Sequence, residues 1–262
     1  MKVFQRNLIP VLLSFFSISC FCQDFSAYGK KVFEMDGEQM PYRILMPDGY
    51  EASKKYPLIL VLHGSGERGN DNEAQLVHGG QLFLQKKVRE KYPAFVVFPQ
   101  CSTNSSWVKV GVGGEWGNRE LTFYKNADPT PDMELLEGLL KVLVKMYKID
   151  KNKIYVGGLS MGGMGTFELV QRNPRLFAAA FPICGGANPF TAKRLRKLDW
   201  WVFHGGADHV VPPKYSDMMV KALEEADAQV KYSRYKNVEH NSWENAFAEP
   251  ELLSWLFSNS RQ

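Results

Sequence analysis

The sequence is poor in features that mark several functional classes. It has no run of five like charges, so it offers no basic arm of the kind that grips nucleic acid. Histidine and cysteine are scarce, at five and four residues. None fall at metal-ligand spacing, and an H-x-x-x-H pair on a helix is absent, so neither a metal nor a cofactor is expected. No internal repeat, low-complexity block or Pro/Gly/Ser linker interrupts residues 23–262. Past the start, no segment stays apolar for 18 residues, so the mature chain should not span a membrane. The net charge is +4, half of it from Lys2 and Arg6, so charge says little about partners.

The first residues form a different kind of segment. Lys2 and Arg6 precede the apolar run "LIPVLLSFFSISCF", which is short for a bilayer crossing. Cys20 and Cys22 suit the two small-residue positions before a cut ahead of Gln23. Residues 1–22 therefore read as a signal peptide, and residues 23–262 as one exported domain, secreted or periplasmic. The competing reading is a lipoprotein signal with Cys20 lipidated; Ser17 stands where a leucine is usual. Export leaves Cys101 and Cys184, read as two free thiols rather than a pair, since sequence does not bring their Cα atoms together.

What remains is rich in apolar residues, 45% overall with 13% aromatic, enough for one large core. "KKVFEMDG" and "MPYRILMP" read as strands around an Asp36-Gly37 turn. "PLILVLHG", "AFVVFPQ", "KIYVGGL", "FAAAFPI" and "DWWVFHGG" are continuous apolar runs, as in a parallel sheet covered on both faces. Between them, Leu135, Leu136, Leu139, Leu140 and Leu143 recur at helical steps, with Pro131 at a first-turn position. "PPKYSDMMVKALEEADA" and "EPELLSWLFSN" read as helices flanking a last strand, "VKYSRYKN". The alternation predicts an α/β fold, a mostly parallel central sheet with helices on both faces. In such sheets, ligands sit beyond the carboxyl ends of the strands.

Ser160 lies at such an end. Gly158-Leu159-Ser160-Met161-Gly162 follows an apolar strand and opens a helix, the G-x-S-x-G turn that presents a nucleophilic serine. A serine needs a base and an orienting acid. Asp208 ends the run "WWVFHGGAD", whereas Asp199 begins it at the wrong edge. His240 follows the last strand through a short loop. His204 reads as packed within a strand, and His209 as too near the acid. The Met161 N–H, at a helix start, and the Ser65 or Gly66 N–H, in "LVLHGSGERGN", are the candidate oxyanion donors. His63 reads as fixing that loop. Cys101 to Pro131 shows no long periodic run and should overhang the active edge. Trp107 and Trp116 in it either stack on substrate or pin the loop to the body.

With "HGSGERG", "GGLSMGG", "PICGG", "GGADHVVP" and "HNSW" in order from Pro57 to Trp243, the chain resembles the α/β-hydrolase superfamily. It is most similar to secreted bacterial esterases related to the prolyl oligopeptidase and dienelactone hydrolase families, feruloyl-type carbohydrate esterases included. The resemblance implies a carboxylesterase with Ser160 as nucleophile, His240 as base and Asp208 as acid. Its substrate would be a small ester or an acyl group on polysaccharide. The chain departs from dienelactone hydrolases, which carry a cysteine nucleophile, and shows no match to the propeller of prolyl oligopeptidases. A serine peptidase and a non-catalytic carbohydrate-binding protein on the same fold are the alternatives.

Overall fold

A computed structural model describes residues 23–115 and 118–261. The expected signal peptide at 1–22 and the cut before Gln23 lie outside the described residues or at their border. Among the described residues, ten strands alternate with eight α-helices. The strands are β1 (Gly29–Met35), β2 (Glu38–Leu45), β3 (Tyr56–Leu62), β4 (Phe95–Pro99), β5 (Val110–Glu115), β6 (Asn118–Phe123), β7 (Ile149–Leu159), β8 (Ala179–Ile183), β9 (Asp199–Gly205) and β10 (Val230–Tyr235). The helices are α1 (Gly80–Leu84), α2 (Lys86–Lys91), α3 (Pro131–Met146), α4 (Met161–Arg172), α5 (Ala192–Leu195), α6 (Lys214–Glu224), α7 (Trp243–Ala248) and α8 (Leu252–Ser258).

Eight strands make one sheet in the order β1-β2-β4-β3-β7-β8-β9-β10. β1 and β2 pair antiparallel through a tight turn in which Asp36 and Gly37 both have positive φ, at 53° and 83°. This is the backbone a two-residue hairpin demands. β2 meets β4 antiparallel, and every pair from β4 to β10 is parallel. Hairpin turns suffice at the first edge, whereas each parallel step requires a crossover, which the helices supply.

The continuous apolar runs are explained by burial on both faces. Along β3, Leu58, Leu60 and Leu62 join one core with Met133, Leu136 and Leu139 of α3 and Phe167 of α4, while Ile59 and Val61 join the opposite core with Phe83 of α1 and Leu256 of α8. α3 begins as its sequence suggests: the Thr130 hydroxyl accepts the Met133 N–H at 3.1 Å, and Pro131 follows where no N–H is needed.

The segment between Cys101 and Pro131, which shows no long periodic run, holds a hairpin that the sequence did not predict: β5 and β6 pair antiparallel with Val110 opposite Phe123. Its anchors are tertiary. The Tyr215 hydroxyl accepts the Leu121 N–H at 2.6 Å, and the Asn188 side-chain amide donates to the Phe123 carbonyl at 2.9 Å.

Candidate active site

Three loops leave carboxyl ends of β7, β9 and β10 and meet on one rim of the sheet. β7 runs straight into α4 through Ser160, whose backbone stands at φ 54°, ψ −116°. A non-glycine residue there is strained, and its neighbours hold it: the Ser160 N–H donates to the Ile183 carbonyl at 2.9 Å, and the Ser160 carbonyl accepts the Met164 N–H at 3.0 Å. The glycines two positions either side are required by space. A Cβ on Gly158 would lie 2.5 Å from the Leu62 carbonyl oxygen, and one on Gly162 would collide with that same oxygen.

From this turn a hydrogen-bond chain runs inward. Ser160 Oγ is 3.0 Å from His240 Nε2, and His240 Nδ1 is 2.8 Å from Asp208 Oδ2. With Asp208 ionised, Nδ1 carries the proton and donates it to the carboxylate, which leaves Nε2 to accept from the serine hydroxyl. Asp208 is buried, and its other oxygen accepts the Val210 and Val211 N–H groups at 2.8 and 2.9 Å. Burial pushes its carboxyl up, but hydrogen bonds from His204 and His240, the charge of His240 and the Val211 N–H outweigh that and hold it far below the usual carboxylate range. The acid is thus ionised at any ordinary pH.

His204 is fully buried, as expected. Its Nε2 is 2.8 Å from the Val211 carbonyl and its Nδ1 2.6 Å from Ser216 Oγ, so it braces the loop that holds Asp208. His209 is exposed. Asp199 opens β9 at the opposite end of the strand from Asp208.

The other half of the site is the turn after β3. Ser65 and Gly66 lie in a single 3-10 turn, Ser65–Glu67, and a Cβ on the preceding Gly64 would stand 3.6 Å from Ser160 Cβ. The loop therefore rests against the serine. Met161 is the first residue of α4, where a backbone N–H has no intrahelical acceptor. His63 fixes the loop: its Nδ1 bonds the Gly64 carbonyl at 2.6 Å and its Nε2 accepts the Cys101 N–H at 2.9 Å.

Trp107 belongs to this scaffold, not to a substrate surface. It is fully buried, its indole N–H donates to the His63 carbonyl at 3.0 Å, and its ring packs on Gly165. The stacking role considered for it is thereby withdrawn in favour of pinning the loop. Trp116 lies outside the described residues. Cys101 and Cys184 are both free and buried. Cys184 presents its thiol within 4.8 Å of ligand atoms of Asp208 and His240. Burial pushes that thiol far above its usual range, so it stays protonated beside the histidine.

Several residues beside the serine carried no assigned role in the sequence. The Trp243 ring stands edge-on to His240 at 5.3 Å and tilts against His78 at 4.9 Å; His78 Nε2 in turn lies 3.6 Å from Glu67 Oε1. Across the site, the hairpin packs Leu121 and Phe123 against Met164, Val211 and Tyr215, an apolar wall. The tryptophan was visible next to His240 in "HNSW". The wall was not, because its members lie far apart in the chain.

The profile of the phospholipase/carboxylesterase family matches residues 50–250, which spans the serine turn, the acid and the histidine. The chain belongs to this family. Its fold is the α/β-hydrolase fold. A solved thermostable esterase superposes with a TM-score of 0.80 at 34% identity, covering 90% of this chain and 64% of that one. A probable feruloyl esterase C of Aspergillus terreus is 25% identical over 218 residues, 81% of this chain and 72% of that protein. A bifunctional acetylxylan esterase/xylanase of Neocallimastix patriciarum is 28% identical over 157 residues. That match covers 59% of this chain and 20% of the larger fungal protein. Among the described residues no helix is long and apolar enough to cross a membrane.

Proposed function

We propose that this phospholipase/carboxylesterase family member is a serine carboxylesterase that removes a small acyl or feruloyl group from plant polysaccharide. The observation that carries the reading is the unbroken chain from Ser160 Oγ through His240 to Asp208, at 3.0 and 2.8 Å. The polysaccharide side rests on the similarity to feruloyl and acetylxylan esterases. In this reading residues 1–22 direct export.

His240 takes the hydroxyl proton as Ser160 attacks the ester carbonyl. Asp208, ionised and held by two backbone N–H groups, stabilises the imidazolium. The Met161 N–H and an N–H of Ser65 or Gly66 receive the oxyanion; each such donor lowers the barrier by roughly 3 kcal/mol. The imidazolium then protonates the leaving alcohol. Water, deprotonated by the same histidine, attacks the acyl-enzyme and releases the acid. The apolar wall of Leu121, Phe123 and Val211 suits the acyl group.

The test is a panel of p-nitrophenyl acetate, methyl ferulate, acetylated xylan and short peptide amides, run with wild type and Ser160→Ala. Ester turnover that vanishes in the folded variant is expected. Peptide turnover ahead of ester turnover redirects the reading to a peptidase, and no turnover at all leaves a binding protein.

A further inference from the structure

A basic groove lies at the pole opposite Ser160. It has a volume of 710 Å³ and is lined by Lys141 and Lys145 of α3, Lys151 of β7, Arg172 of α4, Arg175 of the loop after α4, and Arg194 of α5. Its floor is apolar, from Leu140, Val144 and Leu176, and its one carboxylate is Glu137. Lys151 is the third residue of β7 and Ser160 follows its last, so nine steps along the strand at about 3.3 Å each put roughly 30 Å between them.

The cations are mostly uncommitted. Arg172 pairs with Glu168 at 2.8 Å, and a Glu137 oxygen accepts from the Asn173 amide at 2.6 Å. Among the described residues, Lys141, Lys145, Lys151, Arg175 and Arg194 form no ion pair, and all five are exposed. Cations do favour the last turns of helices, and Lys145, Arg172 and Arg194 sit there. That preference covers these three. It does not account for Lys141, Lys151 and Arg175, which join them around a single hollow from separate segments.

The shape indicates a long ligand. A hollow of 320 Å³ continues from the rim at Arg172 and Arg194, and another of 410 Å³ continues from Arg175 to Lys197 and Arg261. We propose that this basic track is a second, non-catalytic binding site for an acidic polysaccharide, with uronate carboxylates on the Lys and Arg side chains and sugar faces on Leu140, Val144 and Leu176. A concave track admits a chain and excludes a flat bilayer. The main groove is lined by no aromatic ring, so it has no platform on which nucleic-acid bases would stack. Such a site would tether the enzyme to a charged matrix while leaving the Ser160 rim open to a neighbouring ester. The inference does not depend on the esterase reading, because its readout is binding.

The experiment uses the full chain, with polygalacturonate as probe and a neutral arabinoxylan, phosphatidylglycerol vesicles and an oligothymidylate as comparisons. Binding is measured by affinity electrophoresis and co-sedimentation at about 20 mM and about 0.5 M salt, since screening separates charge-driven binding. Expected is binding to polygalacturonate that weakens at least tenfold in Lys141→Glu with Lys145→Glu, at least tenfold in Arg194→Glu, and at least tenfold in high salt. p-Nitrophenyl acetate turnover should be unchanged in both variants, which touch no part of the Ser160 rim, and each should keep a cooperative melting transition, lowered slightly because Glu replaces a cation in a last helical turn. Lys141→Ala with Lys145→Ala, milder in charge, should weaken binding in the same direction. The proposal is overturned by no polygalacturonate binding, by variants that bind like wild type, or by tighter binding to the vesicles or the oligothymidylate.

Discussion

Acidification should loosen this protein through His63 before it reaches most carboxylates. The ring is 2% exposed and holds two bonds at once, to the Gly64 carbonyl through Nδ1 and from the Cys101 N–H through Nε2. A second proton would turn the Nε2 acceptor against the Cys101 N–H. Burial lowers the imidazole from 6.5 to about 4; the Gly64 hydrogen bond and the charge of Asp132 oppose this without cancelling it. A histidine whose folded value is depressed keeps its full contribution above the unfolded value. It loses that contribution as pH falls toward the folded one, because the unfolded chain binds the proton first. The window is therefore pH 6.5 down to about 4. At 1.36 kcal/mol for each pH unit, the whole loss is roughly 3 kcal/mol, and about 2 kcal/mol has gone by pH 5. The assay is urea unfolding at half-unit steps across that range, for wild type and His63→Gln. The variant starts less stable but should fall less steeply, by roughly 3 kcal/mol over the window. Parallel curves would refute the reasoning, since they would assign the acid loss to other groups.

Two further outcomes follow from the geometry. Asp208→Asn keeps the shape of the acid but no longer fixes the Nδ1 proton of His240, so kcat for p-nitrophenyl acetate should fall by about 10³–10⁴ with the circular dichroism spectrum preserved; activity within tenfold of wild type would remove Asp208 from the mechanism. Trp107→Phe deletes the donor to the His63 carbonyl in a dry setting and should cost about 1–3 kcal/mol in urea unfolding. Its KM values for acetate and ferulate esters should stay in the wild-type ratio, whereas a change confined to ferulate would restore a substrate role.

Where one residue pattern carried the information, the sequence was readable. The leucines from Leu135 to Leu143 lie on the buried side of α3, and the unbroken apolarity of "PLILVLHG" matches a strand whose two faces feed separate cores. That Ser160, Asp208 and His240 would converge on one rim was legible because strand ends and glycine spacing are local. The β5–β6 hairpin was not. Val108, Val110 and Val112, and later Leu121 and Phe123, do alternate, but glycines dilute the signal and the anchors, Tyr215 and Asn188, come from distant segments. The role of Trp107 depended on burial, which composition does not report. The basic track was hidden for a related reason. Its cations are spread from Lys141 to Arg261 with no local run, and only the fold gathers them.

The most direct measurement is the site of reaction with a fluorophosphonate, read by intact mass and peptide mapping. The account requires one adduct per chain, on Ser160, absent from Ser160→Ala and formed far more slowly in His240→Ala. A folded wild-type protein that remains unlabelled, or one that takes the label on another residue, would contradict it.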